Sequence, residues 1–161
     1  MTNEDIKTLF ESKLESYKGH NHYSFMNWSR TEICSDQEMN LFKNWLNQIS
    51  EEEVCKYLSI DSTILSVILN QNDSICKSAI NRDPWSIKFV KDQKKHLCEL
   101  AMGLNPFVMT EIQNQSVDLC ILALEEFPIC FRDVKIVSNP DFETTLRNLK
   151  EKKAILDAIN R

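Results

Sequence analysis

The segment HLCELAMGLNPFVMTEIQNQ, residues 96 to 115, decides the fold, because it has a near-copy on either side. SICKSAINRDPWSIKFVKDQ, residues 74 to 93, precedes it, and DLCILALEEFPICFRDVK, residues 118 to 135, follows it. Cys76, Cys98 and Cys120 stand 22 residues apart, and so do Ala79, Ala101 and Ala123, and Pro84, Pro106 and Pro128. Self-similarity at such a period is the signature of a repeat architecture.

Within each copy the apolar residues fall in two stripes. Ile75, Leu97 and Leu119 precede the cysteines, and Ile80, Met102 and Leu124 follow the alanines. Together these make the i, i+1, i+4, i+5 face of a helix. After the proline come Trp85, Phe107 and Ile129, then Ile87, Met109 and Phe131, then Val90, Ile112 and Val134. The proline suits the first position of a second helix and ends the one before it. Each copy therefore reads as two short helices joined by a tight bend. Helices this short are marginal in isolation, so stacking must supply the burial.

An earlier copy spans 51 to 71. It places Val54 and Cys55 in its first helix, Cys55 lying 21 residues before Cys76. After a one-residue deletion at the bend, Leu65 and Ile68 fall opposite Ile87 and Val90, with Ser50, Glu53 and Ser62 as capping residues in place of the proline. After Val134 the pattern fails. Phe142, Leu146, Leu149, Leu156 and Ile159 mark one longer amphipathic helix, read as a polar-faced cap of the kind terminal repeats need. The expected fold is all-α: stacked short helix-turn-helix repeats, solenoid-like, with an N-terminal helical segment (1–50), four two-helix repeats (51–137) and a C-terminal capping helix (138–161), forming one compact unit.

The quoted copies resemble a short helical repeat family catalogued as a domain of unknown function. Its units run Leu-Cys, Ala-Val, Asn-Pro, then Leu and Val, and occur in tandem in phage, large-virus and bacterial proteins. The resemblance covers residues 72–137 well and 51–71 loosely, while Gly103 and Glu125-Glu126 depart from it ahead of the proline. It implies a fold and brings no activity, cofactor or catalytic residue.

Composition agrees with helices: 161 residues, 42% hydrophobic, hold two Gly and four Pro, poor material for hairpins or phosphate-cradling loops. Nineteen basic against 24 acidic residues leave a net charge of −5, which argues against a nucleic-acid partner. The lysine groups at 91, 94 and 95 and at 150, 152 and 153 are interleaved with acids and read as solvated faces. No run reaches the roughly 18 apolar residues of a membrane span, and Met1-Thr-Asn-Glu-Asp lacks the features of a signal peptide. A soluble cytoplasmic protein is expected, in the host cytoplasm if the source is viral. Its six cysteines are then expected to be reduced.

The N-terminal third holds an amphipathic helix over residues 3 to 17, with Ile6, Leu9, Phe10, Leu14 and Tyr17 on one side. A second runs over 36 to 49, with Met39, Phe42, Trp45, Leu46 and Ile49 inward and Ser35 and Glu38 as a capping box. Between them, HNHYSFMNW, residues 20 to 28, is the composition of a recognition loop.

The chemistry-bearing residues are sparse. His20 and His22, with Cys34 or Glu32, have spacing open to zinc but lack a third and fourth ligand at diagnostic positions. The laddered cysteines would stand roughly 8–10 Å apart on neighbouring helices, too far for a shared metal or a disulfide. His96 and Cys98 lie two apart, on different faces of a helix. No metal, cofactor or catalytic residue is assigned. The expected function is a non-catalytic module that binds another protein, with Tyr23, Phe25, Trp28, Arg82, Lys88 and Leu104 as contact residues. A sharper form is a phage or viral accessory inhibitor of a host or defence protein. The positions that differ between repeats, Lys77, Glu99 and Ile121 in one row and Arg82, Leu104 and Glu126 in another, suit such a partner. Two other readings stand beside it: a small metal-dependent hydrolase or other enzyme using His20, His22 and His96, and a structural homo-oligomer stacked end to end.

Overall fold

The computed structural model describes residues 1–17, 24–28, 33–126, 134–135 and 142–159, without the side chains of Phe142, Glu143 and Leu156. The described residues are helical and turn segments, with no strand among them. Seven are α-helices: α1 (Asn3–Ser16), α2 (Asp36–Leu46), α3 (Glu51–Leu58), α4 (Asp73–Arg82), α5 (Lys95–Leu104), α6 (Val117–Glu126) and α7 (Phe142–Ile159). Four are 3₁₀ segments: Phe25–Asn27, Ser62–Val67, Pro84–Phe89 and Pro106–Glu111. The chain divides into two compact units, Met1–Val90 and Lys91–Arg161, so the boundary falls inside the repeat array.

The 22-residue period recurs in the order of the described elements. α3, α4, α5 and α6 start 22 residues apart, and so do the three 3₁₀ segments from Ser62, Pro84 and Pro106. Residues at the bend have matching dihedrals, φ −151° and ψ 112° at Asp83 against −152° and 106° at Asn105. These are the extended values that a following proline imposes. The same angles recur nearby at Asp61, −137° and 102°, where no proline follows. There the Asp61 carboxylate takes over, accepting from Thr63 N at 2.9 Å as Asp83 accepts from Trp85 N and Asn105 from Phe107 N, each at 3.1 Å. Asp61 is the cap, and not Ser62, which is buried in the slot the prolines occupy elsewhere.

Among the described residues the second helix of the first three repeats is 3₁₀, not α, and this corrects the inward positions. At three residues per turn, side chains three apart eclipse. Ile87 and Val90 share one buried side, as Leu65 and Ile68 and then Met109 and Ile112 do. Ile64, Ser86 and Val108 fill a second buried slot. Trp85 and Phe107, expected inward from a 3.6-residue period, fall on the remaining side and are half-buried and exposed.

Ser86 is 1% exposed and its hydroxyl has no hydrogen-bond partner, in a slot where the sister repeats place Ile64 and Val108. Desolvating a hydroxyl without a partner costs about 1–3 kcal/mol. Ser86→Val is therefore expected to stabilise the fold by about 1 kcal/mol, read as a rise in the urea midpoint at constant slope. A lower midpoint would show that the slot lacks room for the extra methyl.

The first copy also needs a one-residue shift of register. With α3 and α4 both starting on the 22-residue frame, Val54 takes the cysteine slot and is buried, while Cys55 is half-exposed. Tyr57 then stands where the later repeats have alanine. The small residue is replaced because Tyr57 packs on the N-terminal helices. Phe10 of α1 lies 5.2–6.0 Å, centroid to centroid, from the rings of Phe25, Trp28, Phe42, Trp45 and Tyr57. Several of these contacts are edge-on, the arrangement the ring quadrupoles favour. The Tyr57 hydroxyl donates to Glu11 at 2.7 Å, and Lys7 meets Glu53 at 3.0 Å. That hydroxyl bond is the main reason the Glu11 carboxyl titrates below its ordinary range.

Both expected N-terminal caps are present: Ser35 with Glu38 forms a reciprocal box, and Ser50 accepts from Glu53 N. Helix α2 ends at Leu46, short of Ile49, because the Asn47 side chain turns back to the Lys43 carbonyl at 2.8 Å.

The alanines of the repeat are fully buried, so nothing larger fits without displacing a neighbour. Ala101→Leu is expected to destabilise by about 1–3 kcal/mol through overpacking. Lys91→Leu, at an exposed position, should stay within about 0.5 kcal/mol of the parent. Equal melting temperatures would refute the register.

In the second unit, α7 packs on α6 through buried Thr145 and Leu149. Lys150 pairs with Glu125 at 2.5 Å and Lys153 with Asp118 at 2.8 Å. Exposed ion pairs like these contribute about 1 kcal/mol at most, so the buried side chains hold the helix. Ile159, expected inward, is 74% exposed, and Leu156 lies outside the described side chains. Val134 is buried 22 residues after Ile112, on the same frame.

Candidate interaction surface

Two features position the surface: a row of amide side chains that locks each repeat, and the elbows the locking leaves exposed. The amides are Asn47, Gln71, Gln93 and Gln115. In the first unit Asn47 donates to Val67 O at 2.9 Å and accepts from Leu69 N at 2.7 Å, and Gln71 donates to Phe89 O at 3.0 Å. In the second unit Gln93 donates to Glu111 O at 3.2 Å and accepts from Gln113 N at 2.8 Å. Gln115 donates to Met109 O at 2.8 Å and accepts from Lys135 N at 2.6 Å. A primary amide carries donor and acceptor together and so substitutes for the peptide partner that the end of a 3₁₀ segment lacks. Gln71, Gln93 and Gln115 are spaced by 22 in the sequence. That signal was legible and stood outside the apolar stripes that define the repeat.

Two of the laddered cysteines contact the backbone of the same glutamines. Cys98 Sγ donates to Gln93 O at 3.5 Å and Cys120 Sγ to Gln115 O at 3.7 Å. Burial pushes both thiols up to about 11, so they remain protonated near neutral pH. A neutral S–H is what the carbonyl contact requires. His96 is exposed whereas Cys98 is buried, which sets the two on different faces of α5. Cys34 is buried too, its thiol raised by burial to about 11. Among the described residues no group of three or more His, Cys, Asp or Glu is placed to hold a metal ion. His20, His22, Tyr23, Glu32 and Cys130 lie outside the described residues.

The expected contact residues separate into two groups. Phe25 and Trp28 are 0% exposed, enclosed by the rings around Phe10, so the recognition-loop reading is corrected for these two. The loop enters the core because Phe25 N donates to the Asp61 carboxylate at 2.6 Å, tying it to the first repeat. Arg82, Lys88 and Leu104 do face solvent. Arg82 also reaches back to Ile60 O at 3.2 Å, and Lys88 lies 5.1 Å from the Phe89 ring centroid. In the row of variable positions Lys77 is exposed, whereas Ile121 is buried and so belongs to the core.

The exposed apolar residue that sequence reading misassigned is Phe107. It is 44% exposed, and Leu104 is 51% exposed, on either side of the Asn105-Pro106 elbow. The equivalent elbow of the first unit carries Arg82 and half-buried Trp85. The same backbone thus presents a cationic elbow in one unit and an apolar one in the other.

No family model, curated protein or solved structure matches this chain. No helix among the described residues is long and apolar enough to cross a membrane.

Proposed function

We propose that the chain is a non-catalytic protein-binding module in which clamped, solenoid-like helical repeats present chemically different elbows to a partner protein. The observation that carries this reading is the exposed pair Leu104 and Phe107 on a bend fixed by Pro106 and the Asn105 cap. Large apolar side chains on a rigid bend lose little conformational freedom when a partner covers them, and such residues anchor interfaces. Arg82 and Lys88 supply the charged counterpart on the first unit. The finer reading, an accessory inhibitor of a host or defence protein acting in the cytoplasm, rests on the repeat resemblance.

The test is quantitative cross-linking capture with the parent and with L104D/F107D. A stoichiometric partner held by the parent and lost by the double variant, at unchanged melting temperature, supports the reading. Equal capture by both proteins would remove the elbow from the interface. Light scattering on the same pair addresses the alternative of self-association: an oligomer that the double variant dissolves makes the partner a second copy of this chain.

A further inference from the structure

We draw no further inference here: the strongest candidate, the N-terminus of α5, where Lys94 stands in the cap position without a side-chain cap bond beside exposed Lys95 and His96, is a helix end at which no second observation points to an anion or any other ligand.

Discussion

Phe10→Ala is expected to lower the unfolding free energy of the first unit by about 3–5 kcal/mol, the usual range for emptying a buried phenylalanine site. Phe10 is fully buried and is the ring that all five neighbours of the cluster share, so its removal leaves a void lined by side chains from α2, α3 and the Phe25–Asn27 segment. Those side chains are large, stiff and held from several elements, which limits collapse into the space. For a chain of this length the expected fall in melting temperature is on the order of 10 °C. Circular dichroism at 222 nm during heating checks it, with Phe107→Ala as the control. That ring is 44% exposed and its loss should cost under about 1 kcal/mol. Comparable shifts for the two variants would mean that the aromatic cluster is not the core of the first unit.

Gln115→Leu carries the second large effect, an expected loss of about 1–3 kcal/mol, because it keeps side-chain bulk while removing the acceptor of the Lys135 N–H and leaving Met109 C=O with the Ile112 N–H alone of its two donors. Gln115 is buried, so water does not readily replace the amide. Gln113→Leu is the matched control: same substitution two residues away, with an exposed side chain whose backbone N–H still reaches Gln93. It should change stability by no more than about 0.5 kcal/mol. Hydrogen exchange adds a local readout, since the Lys135 amide should lose protection in Gln115→Leu and keep it in Gln113→Leu. If both variants unfolded alike, the amide row would be incidental to the repeat.

The two experiments address different kinds of stabilisation. Ring burial is non-directional and tolerates small shifts, whereas the amide bonds hold each 3₁₀ segment at one distance from the amide that clamps it. The elbow residues depend on the second kind. Leu104 and Phe107 are held apart from the core by the same bend that buries Val108 and Met109.

Much of this was legible in the amino-acid sequence because it is local or periodic. The 22-residue frame, the burial of Cys76, Cys98, Cys120 and the alanines, the caps at Ser35 and Ser50 and the opening of the second helix by Pro84 and Pro106 follow from spacing and from groups within four residues of one another. Three things needed the tertiary structure. The choice of 3₁₀ over α after the bends at Asp61, Asp83 and Asn105 turns on capping and on packing against the neighbouring helix, and it moved Trp85 and Phe107 off the core side. The inward turn of Phe25 and Trp28 depends on Asp61, 36 residues beyond Phe25, and on the space that Tyr57 fills in place of alanine. The service of Asn47 beside Gln71, Gln93 and Gln115 breaks the sequence frame, because a shorter side chain from a different position reaches the equivalent backbone groups. Periodicity assigns a residue to a face only when the helix type is known, and a loop's aromatics are placed by partners that lie far away in the chain.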